Sequence, residues 1–226
     1  MKHNILEEQR LKFLHGALNP EEYAEFIIHH IARSEDDLKA WVLTDHQHLL
    51  EQIESLHANV SAQKSVEPLY AAPVGIKDII HVHDMETKYG AQNICSQGVR
   101  HDDAWIVKRL KSLGALIPGK TATTEFAYFD ASSCRNPQDN SKTPGGSSSG
   151  SAAAVGGAQV SYSVGTQTYA SVNRPAAYCG ISSFKPTTGS TNMYGVSPLA
   201  PTFDTLGYFA PTPSKAAQIF QSIHYG

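Results

Sequence analysis

The rhythm of hydrophobic and polar positions changes once along the chain, near Pro68. Before that point the spacing is helical. Leu6 to Leu18 is amphipathic, and Phe26, Ile27, His30 and Ile31 recur at the intervals that gather side chains on one face of a helix. Between these stretches, Asn19-Pro20-Glu21-Glu22 predicts a helix start: an N-cap Asn, a Pro at the first helical position, and acids in the first turn. Thr44 and Gln47 stand at capping-box spacing and predict a third helix through Leu49, Leu50, Ile53 and Leu56. Residues 1–65 therefore read as a helical region packed on a core formed by residues 66–226, the two making one domain.

Beyond Pro68, short apolar runs alternate with helical segments. Pro73-Val74-Gly75-Ile76-Lys77-Asp78-Ile79-Ile80 reads as a buried strand carrying charge. Asp103 to Leu113 predicts a helix with Ile106, Leu110 and Leu113 on one face and Gly114 as its stop. Ala115 to Thr121 follows as a strand and Thr123 to Phe129 as a short helical or irregular piece. Arg135 to Gly146 is a loop rich in turn-forming residues. Ser151 to Gly157 predicts a small-residue helix, Val160 to Thr166 and Ser182 to Lys185 strands, and Lys215 to His224 a last helix. Strands alternating with helices argue for an α/β layered fold, a sheet flanked by helices.

Composition removes several function classes. A net charge of −3 does not suggest nucleic acid or an acidic membrane as a partner. No run approaches the roughly 18 apolar residues of a membrane span, and the N-terminus lacks the apolar stretch of a signal peptide. Cys95, Cys134 and Cys179 are too few and too scattered for a disulfide framework or a zinc site, which predicts reduced thiols and a cytoplasmic location. Histidines are plentiful, but His29, His30, His46 and His48 show no metal-ligand spacing and read as helix-surface residues, so no metal or other cofactor is expected.

Candidate chemistry lies in the stretch from Thr143 to Gly189. Gly145-Gly146-Ser147-Ser148-Ser149-Gly150 has the composition of a flexible linker. It leads directly into Ser151-Ala152-Ala153-Ala154-Val155, whose small side chains let backbone approach backbone, so a functional loop is the better reading. Ser171, in Thr168-Tyr169-Ala170-Ser171-Val172-Asn173-Arg174-Pro175, falls between a strand end and an Arg-Pro turn. Backbone N–H groups there are free to face a ligand. A serine needs a base, and no G-x-S-x-G elbow or neighbouring histidine supplies one. Lys77 is the remaining candidate. Burial disfavours its charged form and would leave it able to take a proton; the competing reading is a salt bridge to Asp78 or another acid.

Taken together and in this order, PVGIKDII, LKSLGALIPGKTATTEFA, RNPQDNSKTPGGSSSGSAAAVGG and GTQTYASVNRPAAYCGISSFKPTTG resemble the amidase signature family over roughly residues 20–220. The resemblance implies that family's mixed β-sheet core flanked by helices, and a Ser–cis-Ser–Lys machinery. Ser171 would be the nucleophile, Ser147 the bridging serine and Lys77 the base. Backbone N–H groups from Thr168, Tyr169 and Ala170 to Ser171 would form the oxyanion hole, with Ser148 and Arg174 in support. The implied reaction is cleavage of a carboxamide C–N bond in a small amide through an acyl-enzyme.

The pattern departs from the family in two ways. Tyr169 and Ala170 stand where the family carries a small residue and then Gly, so the phenol would narrow the pocket, tilt the oxyanion donors or set substrate specificity. The chain also reads as a short form lacking the family's C-terminal half, and an uncovered sheet edge predicts a homo-oligomer. Alternatives are a catalytically impaired paralogue acting in binding or assembly, and a subunit of a glutamine-dependent amidotransferase.

Overall fold

A computed structural model describes residues 4–58, 67–91 and 99–226; Cys95 lies outside these. Six strands form one mixed sheet. They are β1 (Trp41–Thr44), β2 (Val74–Lys77), β3 (Gly119–Thr121), β4 (Tyr162–Gln167), β5 (Ser182–Phe184) and β6 (Thr205–Ala210), in spatial order β1-β3-β2-β4-β6-β5. The central three, β3, β2 and β4, run parallel. Antiparallel strands flank them, β1 on β3 and β6 on β4, with β5 antiparallel to β6 at the edge.

Helices cover both faces. The helices are α1 (Asn4–Leu14), α2 (Pro20–Leu38), α3 (His46–His57), α4 (Trp105–Ser112), α5 (Ser149–Gly156), α6 (Asn173–Tyr178) and α7 (Pro213–Tyr225). Strand alternation divides the core between the two faces. On β6, Leu206, Tyr208 and Ala210 pack with Ile106 and Leu110 of α4 and Ile219 of α7, whereas Phe209 joins Ile27 of α2, Ile53 of α3 and Ala153 of α5.

Most predicted elements are present, and the differences have local causes. Asn19 caps α2 as expected: its side chain accepts from the Glu22 amide while the Glu22 carboxylate accepts from the Asn19 amide. The cap of α3 is Asp45 rather than Thr44, because Thr44 is the last residue of β1 and pairs with Gly119. The stretch read as wholly helical thus contributes a sheet strand. A second strand absent from the sequence reading is β6, in the run Thr205-Leu206-Gly207-Tyr208-Phe209-Ala210, although it is buried along its whole length. The expected Arg-Pro turn is helical, since Arg174 and Pro175 lie inside α6.

Candidate active site

The carboxyl ends of parallel strands open a crevice in α/β sheets. Here the ends of β2 and β4 meet the start of α5. Val74 and Ile76 enter the hydrophobic core, and Lys77, out of phase with them, ends β2 fully buried. Its Nζ donates to Ser147 Oγ at 2.8 Å and to Thr166 Oγ1 at 2.9 Å. Ser147 is itself buried, and the Gly146–Ser147 peptide bond is cis.

Asp78 does not take Lys77 as a partner. It pairs with Lys120 at 2.9 Å, both side chains being fully buried, and Lys120 also donates to Thr87 Oγ1. Among the described residues no carboxylate lies within ion-pair distance of Lys77. Burial therefore dominates its ionisation and pushes its pKa down to about 7, with the charge of Asp204 acting in the opposite direction. Half the lysines would be neutral near that pH, which is what a proton acceptor requires.

The segment after β4 is held from several sides. The Ser148 hydroxyl donates to the Thr166 carbonyl at 3.1 Å, fastening the start of α5 to the end of β4. Gln167 Oε1 accepts the amides of Val172 and Asn173 at 2.9 and 3.0 Å, which closes the turn carrying Ser171. The Ser148 amide donates to the Ser171 carbonyl at 3.3 Å. Arg174 donates twice to the Gly146 carbonyl, at 2.7 and 3.2 Å, so α6 grips the peptide just before Ser147.

Within this turn the amides of Tyr169, Ala170 and Ser171 donate to no acceptor among the described residues, and the Ser171 hydroxyl is likewise unpaired there. Tyr169 is 90% exposed, so its phenol leaves the space beside Ser171 open. A cavity of about 180 Å³ lies against Gly146, walled by Thr124, Phe129, Arg174 and Tyr178. A larger cavity of about 570 Å³, beside Asp78, Thr123 and Glu125, is lined by none of Lys77, Ser147 and Ser171.

The family model described as Amidase matches residues 22–225. The chain belongs to the amidase family. Amidase-family relatives include a Glutamyl-tRNA(Gln) amidotransferase subunit from Symbiobacterium thermophilum, 36% identical over 93% of this chain and 44% of that protein. The corresponding subunit from Legionella pneumophila is 35% identical over 96% of this chain and 47% of its own length. Among solved structures, the native peptide amidase from Stenotrophomonas maltophilia superposes with a TM-score of 0.84 at 29% identity, over 98% of this chain and 48% of that one. An amidase family protein from Bacillus anthracis gives 0.85 at 29% identity, over 98% and 46%. The chain spans about half the length of the relatives it matches.

In this amidase-family chain, sequence reasoning named Lys77, Ser147 and Ser171 but missed three side chains around them: Thr166, Gln167 and Asp204. Thr166 and Gln167 stand in the same GTQTYAS run as Ser171, where a polar pair at the end of an apolar strand was the available signal. For Asp204 there was none, because only the pairing of β6 with β4 brings it to this end of the sheet.

Proposed function

We propose that this chain carries the acyl-transfer centre of an amidohydrolase acting on a small carboxamide. The observation that carries this reading is a fully buried lysine, with its pKa lowered to about 7, hydrogen-bonded at 2.8 Å to a buried serine hydroxyl. In this mechanism Ser171 Oγ attacks the amide carbonyl carbon, and its proton passes through Ser147 to neutral Lys77. The developing oxyanion is met by the free amides of Tyr169, Ala170 and Ser171. Lys77 then returns the proton through Ser147 to the departing nitrogen, the C–N bond breaks, and ammonia or an amine leaves. Water attacks the acyl-Ser171 ester by the same proton route, releasing the carboxylic acid.

Ser171→Ala and Lys77→Ala are each expected to abolish ammonia release from carboxamides and labelling by a fluorophosphonate probe. Unchanged ammonia release in either variant would sink the proposal. A second reading is favoured by the relatives that are Glutamyl-tRNA(Gln) amidotransferase subunits. Under it the same centre releases ammonia from glutamine and works beside a partner protein. Glutaminase activity that rises on adding such a partner would select this reading over a free-standing amidase.

Two further features complete the proposal. Exposed Phe129, Phe203 and Tyr225 support self-association, which sedimentation at micromolar concentration would refute by showing only monomer. Buried, unbridged Cys134 and Cys179 suit a reducing compartment such as the cytoplasm. Among the described residues no helix is long and apolar enough to cross a membrane.

A further inference from the structure

Asp204 sits where two otherwise separate parts of the site meet. In the β4–β6 ladder Gln167 lies opposite Thr205, so the residue before Thr205 is delivered beside the residue after Gln167. Those two residues are Asp204 and Thr168, the last position of a long connection and the first of the turn that carries Ser171. The Thr168 hydroxyl donates to Asp204 Oδ1. The other carboxylate oxygen accepts the amides of Leu199 and Ala200 at 2.8 and 2.9 Å. Asp204 is only 7% exposed, so these bonds are made away from bulk water, where geometry is held most firmly.

Lys77 is hydrogen-bonded to Thr166, and Asp204 to Thr168 two positions further along the same run, so this carboxylate stands at the same end of the sheet as Lys77, where its charge favours the protonated lysine. The groups packed around Lys77 from the neighbouring elements are Ser147 before α5 and Thr166 on β4, both uncharged. Asp78, next in sequence, is matched by Lys120 of β3. Arg174 of α6 is committed to the Gly146 carbonyl. Asp204 is left as the anion that favours a charged Lys77 against the effect of burial.

We propose that Asp204 is a positioning residue of this site, tying the 168–171 turn through Thr168 to the loop entering β6 and serving as the counter-charge of Lys77. This rests on the Ser171–Ser147–Lys77 reading. Two roles then reside in one carboxylate. One holds the oxyanion donors in place through the Thr168 hydroxyl. The other sets the balance between the charged lysine and the neutral form that acts as base.

The test separates the two roles with two variants. Asp204→Asn removes the charge and keeps the tether, its oxygen accepting the Leu199 and Ala200 amides while its NH2 donates to the Thr168 hydroxyl, whereas Thr168→Val removes the tether and keeps the charge. The first readout is the titration of the Lys77 side-chain nitrogen by NMR in labelled protein, assigned by its loss in Lys77→Met. Asp204→Asn is expected to lower that midpoint by about one unit, and Thr168→Val to leave it in place. The second readout is the pH dependence of fluorophosphonate labelling at Ser171. Its acid limb should move to lower pH in Asp204→Asn, while Thr168→Val slows labelling by about ten- to a hundredfold without moving the limb.

An unmoved lysine midpoint in folded Asp204→Asn overturns the proposal, as does full-rate labelling in Thr168→Val. Should Asp204→Asn not fold, Asp204→Glu takes its place: it keeps the charge and changes the reach, and is expected to slow labelling with the lysine midpoint retained. Full-rate labelling in Asp204→Glu would then overturn the tether. Absence of labelling in the unmodified protein would defeat the acyl-transfer reading itself. The lysine titration would still decide the counter-charge role.

Discussion

Lys77 shows how a single residue changes meaning with its surroundings. A lysine beside an aspartate in an apolar strand has an ordinary explanation, a salt bridge between neighbours. Adjacent strand residues point to opposite faces, however, and Asp78 finds Lys120 on its own side. Lys77 is left among hydroxyls, where burial holds its pKa at about 7. If neutral Lys77 is the base, labelling of Ser171 should rise with pH and level off above about 7. A stopped-assay pH series reads this directly, and a limb lying near the ordinary lysine value would contradict it. The sign for stability is the same. Between about 7 and 10.5 the unfolded chain binds a proton that the folded chain does not, so Lys77 makes folding more favourable as pH rises through that window. Tyr169 was the residue whose role the sequence left open. Its exposure answers the question of space, because a ring in solvent cannot narrow the pocket.

At the scale of elements, α5 carries the clearest lesson. All of its residues from Ser149 to Val155 are buried, so it has no polar face and no amphipathic stripe. Its small side chains were legible in the sequence as a sign of close approach, and the approach is made at Gly150. A Cβ there would collide with the Ala40 carbonyl oxygen and the Ala122 amide nitrogen, both backbone atoms of the underlying sheet region. Gly150→Ala must therefore lift α5 and shift Ser147 away from Lys77. A loss of about 3 kcal/mol in chemical denaturation is expected, together with loss of labelling at Ser171. A fully stable variant would show that the helix can move without cost. The elements missed by sequence, β1 and β6, are short. Trp41–Thr44 has too few residues to reveal a period, and Thr205–Ala210 is buried on both faces and interrupted by Gly207.

Across the whole molecule, the sheet separates two buried cationic side chains with different fates. Lys120 is held by Asp78 and Thr87, and Lys77 by hydroxyls alone within hydrogen-bonding reach. Removing the first should disturb folding more than chemistry. Lys120→Met leaves Asp78 buried without its cation, at a cost of about 3–5 kcal/mol. Burial already pushes the Asp78 carboxyl upward against the pull of Lys120, so in the variant the loss should shrink as pH falls and the acid takes a proton. Thermal unfolding followed over a range of about pH 5–8 measures both effects. A pH-independent loss would place its origin in packing instead.

By itself the sequence determined the class of fold and the helix start at Asn19, and it singled out Lys77, Ser147 and Ser171 as candidates for the chemistry. These depend on local periodicity, capping and residue type, which are written into short stretches of chain. Only the tertiary structure decided which partners each buried lysine would take, that Tyr169 points to solvent, and that Asp204 reaches the turn carrying Ser171. Those outcomes depend on strand order and register, which bring together residues far apart in sequence and leave no trace in the pattern around any one of them.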